Sequence, residues 1–443
     1  MFIIRIFFSV FKALRYVLKT IWHSLKGFFR ESNLKHKAIF ALSIMVLIGV
    51  MQIMILFVES EILIFCMQWS FIPVSLLYLI IRYGEVRLRY KFKHFFLSNK
   101  ICGFDGKLPT YVKSVKLNQY LKMYQLKSLV PLIEWEKNKP YLEMFYNSKI
   151  YKIETQERAK KQNADLRTVN IYTIENLLPE YIEWENEYAL ALGDREFAVG
   201  ESYDGQVIWN AKDINHGIVA GATSGGKTTL LRLIAEQAIS KDYEMSILDF
   251  KYGGDYMQIE RDYQEHNNTS EKLVISEPEE ARDLLVNLLA EVKRRTALFN
   301  EVFVTNFDEY NTIHARSRPL KPFLLIIDEA AEIFDVKPKD KEEKALYVEI
   351  DKTLRTLART SRAAGVNILL GIIRPDAEVI SGQIKNNLSW RVCAYFKDSA
   401  ASKIVLENDR ATELSPDIKG RFIIGDEEVQ AYYKPIQKDN QNN

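Results

Sequence analysis

Cysteine is scarce in this chain: Cys66, Cys102 and Cys393 are the three among 443 residues, far apart and in no paired or metal-ligand spacing. That indicates neither a disulfide framework nor a zinc site and suits a reducing compartment. A net charge of either sign is lacking too, since 60 Lys and Arg stand against 58 Asp and Glu for a balance of +2. The balance hides an asymmetry, because 14 of the basic residues but 4 of the acidic ones fall in residues 1–100. The basic excess belongs to that end, and the remainder is mildly acidic, unlike the basic face a nucleic-acid binder usually displays. No internal repeat is present, and no low-complexity tract apart from the polar tail Lys438 to Asn443, which argues against a solenoid. Hydrophobic residues make up 47% of a chain too long for one compact domain, so two or three segments with at least one large core are expected.

What is present begins with long uncharged runs. Ala38 to Val58 carries no charged residue, enough to cross about 30 Å of hydrocarbon as a helix. After the acidic break Glu59-Ser60-Glu61, a second uncharged run extends from Ile62 to Ile81 and ends at Arg82, with a kink expected at Pro73. Residues 38–82 therefore read as two transmembrane helices. Lys35 and Lys37 precede the first, Arg82, Arg87, Arg89, Lys91 and Lys93 follow the second, and the connection holds only Glu59 and Glu61, so both ends are expected in the cytoplasm. Residues 1–37 read as a basic amphipathic segment in the headgroup plane, with Arg5, Lys12, Arg15, Lys19, His23, Lys26 and Arg30 on one stripe. Charges recur throughout it with no separate apolar stretch, unlike a cleaved signal peptide.

Residues 83–195 read as a membrane-proximal adaptor. Helix-like stretches from Tyr111 to Leu132 and from Ile174 to Ala191 flank a Pro/Asn/Lys-rich interval near Pro140, and no chemistry is legible there.

The chemistry begins at Gly217-Ile218-Val219-Ala220, which reads as the end of a buried strand. It runs into Gly221-Ala222-Thr223-Ser224-Gly225-Gly226-Lys227-Thr228 and on into a helical run from Thr229 to Ile239. This is the G-x-x-x-x-G-K-[ST] phosphate loop in its required strand, loop and helix setting. The loop amides and the helix N-terminus present positive partial charge to phosphates. Lys227 reaches the β and γ groups, and the Thr228 hydroxyl is a ligand for Mg²⁺. The expected nucleotide contacts are thus Gly221 through Thr229, and the expected cofactors are ATP and Mg²⁺.

Further on, Phe323-Leu324-Leu325-Ile326-Ile327 closes on Asp328-Glu329, a Walker B strand buried on both faces whose tip meets the same crevice. Asp328 would hold the magnesium shell and Glu329 would polarise the attacking water; the alternative role of the pair is to cap the next helix. Short apolar strands at Ser246-Ile247-Leu248-Asp249-Phe250-Lys251 and at Asn367 to Pro375, with a helix from Glu342 to Ala364 closed by Gly365, complete a parallel α/β sheet.

From about Leu192 to Ile424 these pieces resemble the FtsK/SpoIIIE family of hexameric DNA translocases, including the conjugative coupling proteins built on that motor. The resemblance is carried by Asn215-His216-Gly217 leading into the phosphate loop, Leu248-Asp249-Phe250-Lys251, the Walker B run, Ser361-Arg362-Ala363-Ala364-Gly365-Val366, and the stretch from Arg374-Pro375 to Asn386-Asn387. It implies a RecA-like P-loop NTPase motor over residues 196–435, followed by a polar tail at 436–443. It also implies a homo-hexameric ring in which an arginine of the neighbour, Arg362 or Arg374, completes each ATP site. Each arginine could equally satisfy helix or loop carbonyls. Members carry Gln before the Arg-Pro pair as a γ-phosphate sensor, whereas here Ile373 stands in that place.

The sequence shows neither a DNA-reading winged-helix domain after the motor nor a long linker before it. That favours a coupling protein of conjugative transfer at the bacterial cell membrane, with DNA, channel and relaxosome proteins as partners. Chromosome partitioning, type VII-like protein secretion and a membrane scaffold that binds ATP without hydrolysing it are the other readings.

Overall fold

A computed structural model describes residues 85–156, 167–251, 254–314, 319–375 and 385–435. The basic segment 1–37, the two expected spans at 38–82 and the tail 436–443 lie outside these. Among the described residues no helix is long and apolar enough to cross a membrane. The chain divides into two compact units at Asn176/Leu177.

In the first unit α1 (Glu85–Ser98) is followed by β1 (Thr110–Lys116), β2 (Leu121–Ser128), α2 (Leu132–Lys137), α3 (Lys139–Tyr146), β3 (Ile150–Gln156) and β4 (Arg167–Ile174). The strands form an antiparallel sheet in the order β1-β2-β4-β3. Phe92 and Phe96 of α1 pack with Tyr111, Leu126, Trp135, Val169 and Ile171 in one aromatic-rich core. The helix expected from Tyr111 to Leu132 is therefore a β-hairpin. Its Tyr, Val and Met residues suit a pleated half-buried surface, and Asn118 breaks the run by accepting hydrogen bonds from the Tyr120 and Leu121 amides at 2.8 Å each.

The second unit begins with β5 (Ile182–Glu183) and α4 (Glu187–Leu190), then β6 (Glu196–Ser202), β7 (Gly205–Asn210), β8 (His216–Ala220), α5 (Lys227–Ser240), β9 (Glu244–Leu248), α6 (Met257–Asn267), β10 (Val274–Ile275), α7 (Pro278–Glu301) and α8 (Phe307–His314). It continues with β11 (Phe323–Ile327), α9 (Ala331–Phe334), α10 (Lys341–Thr360), β12 (Val366–Ile372), β13 (Trp390–Ala394), α11 (Ser399–Leu406), β14 (Arg421–Ile424) and β15 (Glu427–Tyr433). One sheet runs β10-β9-β11-β12-β8-β13-β14-β15-β6-β7, with β5 paired to β15.

The strands from β10 to β13 are parallel, and every residue of β8 and β12 is buried, as helices on both faces require. Leu285, Leu288, Ile350, Leu354 and Val405 from α7, α10 and α11 cover one face, and Leu230, Leu231, Ile234, Ala238 and Ile259 from α5 and α6 cover the other. The helix expected to end at Ala364 is α10 followed by a tighter turn at Arg362–Ala364, closed by Gly365 at φ 75°.

The sheet is mixed rather than wholly parallel. Along the strand order beyond β13 each neighbour runs antiparallel, with β14 and β15 joined by the tight turn Gly425-Asp426, Gly425 at φ 59°, while β5 runs parallel to β15. Residues 177–195 also belong to this unit and not to the adaptor. In place of the helix expected across them they make β5 and the single turn α4, and Tyr188 stacks on Tyr432 at 4.3 Å while the Trp184 amide donates to the Tyr433 carbonyl at 2.8 Å.

Candidate functional site

The phosphate loop joins β8 to α5 at the C-terminal tips of the parallel strands, where an open α/β sheet presents its crevice. Its shape depends on two unusual backbone positions, Ser224 at φ 68° and Gly226 at φ 96°. A Cβ on Gly226 would stand 2.9 Å from the backbone of Gly420, so glycine is required where the turn before β14 crosses the loop. Gly221 serves the fold rather than the cleft, since its amide donates to the Ile372 carbonyl at 3.1 Å and a Cβ there would meet Ala394 at 2.8 Å. Ala222 through Thr229 line a cleft of about 740 Å³.

Lys227 is buried and donates to the main-chain carbonyl of Asp328. Its ammonium lies 3.6 Å from Asp328 Oδ2 and 3.6 Å from Glu329 Oε2. A second cation, Lys251, sits 3.6 Å and 3.5 Å from the same two oxygens, so two ammonium groups neutralise two buried carboxylates. Asp328 Oδ1 accepts from Thr228 Oγ1 at 3.1 Å and from the Tyr256 hydroxyl at 2.9 Å. Burial holds the Tyr256 phenol well above its ordinary pKa, with the Asp328 charge adding to it, so Tyr256 is a fixed donor. Glu329 Oε1 accepts from the Ile373 amide at 3.1 Å, while its Oε2 is buried with no hydrogen-bond donor. Burial also pushes the Asp249 carboxyl up, against the pull of the Lys251 amide that it accepts at 3.1 Å.

This geometry is a triphosphate socket with its lysine folded onto its acidic residues. Thr228 and Asp328 offer a hydroxyl and a carboxylate within 3.1 Å of each other. Such hard oxygen donors fit Mg²⁺, which takes one or two carboxylates and completes its shell with phosphate oxygens and water. Among the described residues no cluster of three or more His, Cys, Asp or Glu could hold a metal ion.

Of the residues expected from sequence, Lys227, Thr228, Asp328 and Glu329 meet in one cluster. Arg374 lies exposed two residues beyond β12, beside Ile373 of the cleft wall. Arg362 lies at the opposite end of β12, exposed, donating to the Asp213 carbonyl at 3.3 Å, and does not reach this cleft within one chain. Ile373, where the family Gln would stand, contributes its amide to Glu329. Sequence reasoning missed Tyr256 and Lys251. Lys251 follows a strand tip in a stretch already singled out, which was the available signal; Tyr256 had none. It also missed the far wall of the cleft, formed by Glu180, Tyr181, Lys419, Gly420, Gln430 and Tyr433.

A family model described as the FtsK/SpoIIIE family matches residues 180–376. The DNA translocase FtsK of Oceanobacillus iheyensis is 26% identical over 246 residues, 52% of this chain and 29% of its own length. That of Clostridium tetani is 27% identical over 251 residues, 54% of this chain and 32% of its own length, so the match spans about a third of these curated relatives. The solved structure of the pCW3 conjugation coupling protein TcpA, in a monomer form with ATPgS, is 31% identical, covers 78% of this chain and 94% of its own, and superposes with a TM-score of 0.55. With the P-loop cleft and these likenesses together, the chain belongs to the FtsK/SpoIIIE family.

Proposed function

We propose that this protein is an ATP-driven DNA translocase, anchored in the bacterial membrane by residues 38–82, that works as the coupling protein of conjugative DNA transfer. The observation that carries the enzymatic part is the cluster of Lys227, Thr228, Asp328 and Glu329, which follow the ends of β8 and β11 on either side of β12. Support for the conjugative part is the 31% identity to a conjugation coupling protein of which this chain covers 94%.

In the proposed cycle the triphosphate takes the donors of the loop backbone and of Lys227, which leaves its carboxylate partners. Thr228 and Asp328 would hold magnesium, which would neutralise the charge that develops on the phosphates. Glu329 then has Oε2 available to orient and deprotonate water while the Ile373 amide fixes Oε1. A homo-hexameric ring on the cytoplasmic side would let Arg362 of one subunit face the ATP of the next, and phosphate contacts inside the ring would grip DNA without reading its sequence. Channel and relaxosome proteins are the partners this role implies.

The test is the ATPase rate of the membrane-embedded full chain with single-stranded DNA, duplex DNA, peptide and no addition, at low and high salt. Stimulation by DNA that fades with salt is the expected result. Stimulation by peptide and indifference to DNA would replace this reading by protein secretion.

A further inference from the structure

The loop and its carboxylates account for one part of the cleft lining, whereas another part is unaccounted for. Tyr181 and Tyr433 line it, 52% and 39% exposed, with ring centroids 5.3 Å apart and planes inclined at 54°. Two large rings left half in water along a nucleotide-sized cleft contribute little to a core. Their neighbour Tyr432 also borders the cleft, but it is buried and stacks on Tyr188 at 4.3 Å. Alternation along β15 sends consecutive side chains to opposite faces, so burying Tyr432 turns Tyr433 outward.

The pair is placed on purpose by the topology. β13 runs parallel to β8, so Ala394 ends beside the phosphate loop; β14 and β15 then run antiparallel in turn, which returns the end of β15 to the same side. β5 joins that end with Tyr432 opposite Ile182 and Tyr433 opposite Glu183, and this pairing brings Tyr181 to Tyr433 across 252 positions of sequence. The Trp184 amide donates to the Tyr433 carbonyl at 2.8 Å, so the rings stand on a hydrogen-bonded frame rather than on a free loop.

We propose that Tyr181 and Tyr433 form the platform on which the base of the nucleotide stacks, the role that aromatic side chains take for bases in other proteins because every base has a π-face. This rests on the nucleotide site proposed above and assigns its second half. The two tyrosines set affinity for a nucleoside triphosphate over a bare polyphosphate, and because stacking reads a ring rather than hydrogen-bonding edges, they do so for any purine.

The experiment measures equilibrium binding of two probes to the full chain with magnesium: a non-hydrolysable ATP analogue and inorganic tripolyphosphate. Tyr181→Ala and Tyr433→Ala each weaken the analogue by about tenfold, the size of one lost ring–base stack, and leave tripolyphosphate unchanged. Tyr181→Phe and Tyr433→Phe keep wild-type affinity, since the ring and not the hydroxyl carries the contact. Lys227→Ala weakens both probes and reports on the nucleotide site itself. If the alanine variants bind the analogue as the wild type does while Lys227→Ala does not, the platform is wrong and the nucleotide site stands. An equal loss of both probes in the tyrosine variants overturns the platform as well, because it marks a collapsed cleft. Failure of the wild type to bind the analogue removes the site and the platform together.

Discussion

The hydroxyl of Tyr256 donates to Asp328 Oδ1 at 2.9 Å, on the same oxygen that accepts from Thr228 at 3.1 Å. Two neutral donors thus hold one oxygen of the Walker B aspartate while two ammonium groups face the other at 3.6 Å. The carboxylate that would hold magnesium is oriented from three separate stretches of the chain. Orientation fixed in advance is not lost again at the moment of reaction.

Tyr256→Phe keeps the buried ring and deletes this donor. Thr228 remains on Oδ1, so the fold loses about 1 kcal/mol, the net worth of one neutral hydrogen bond. Turnover is expected to fall about tenfold, or roughly 1.4 kcal/mol in the barrier, with ATP affinity close to wild type. Steady-state hydrolysis beside nucleotide binding separates the two, and an unchanged kcat would show that Tyr256 serves packing alone.

Glu329→Gln retains the acceptor for the Ile373 amide but cannot take a proton. Hydrolysis should drop by about 10²–10⁴ while ATP still binds. Phosphate release measured against binding of a fluorescent nucleotide checks this; wild-type turnover in the variant would remove Glu329 from the role of base.

Gly371→Ala tests the seam between β11 and β12. A Cβ on Gly371 would stand 2.1 Å from the Asp328 carbonyl, a main-chain atom that cannot swing away. Overpacking of that kind costs about 1–3 kcal/mol, and in a unit of this size each kcal/mol lowers the melting temperature by about 2–4 °C. Thermal unfolding with no shift would mean that the two strands part without cost.

His216 confers a pH dependence on stability. Burial, with the positive charges of Arg362 and Arg195 adding to it, lowers its pKa to about 4. Its Nδ1 accepts from the Ile368 amide at 3.1 Å, so the native ring must be neutral. The unfolded chain takes up the proton near pH 6.5 and the native one only near 4, so this contribution is complete above about 6.5 and shrinks as pH falls between those values. It amounts to about 1.4 kcal/mol per pH unit inside that window. Melting curves at pH 7 and pH 5 should differ more for the wild type than for His216→Asn, and equal differences would count against this account.

The phosphate loop, α5 and the strand ending in Asp328-Glu329 were legible because each is written locally. A glycine-rich loop between an apolar run and a helical one needs no distant partner to be recognised, and neither does a strand apolar at every position. Tyr111 to Leu132 misled because alternating aromatic and basic residues suit both periods at that length, and only the sheet partner β4 chose between them.

Sequence by itself therefore determined the family, the parallel heart of the sheet, and the glycine-rich loop and acidic strand tip that the fold brings together. Tertiary structure decided the rest of the cleft. Tyr256 lies 72 residues from Asp328, and Tyr181 meets Tyr433 only because β5 docks on β15. Such partners are chosen by the path of the chain through the sheet and by which side of each strand is buried, properties that belong to the folded arrangement and not to any stretch of residues read alone.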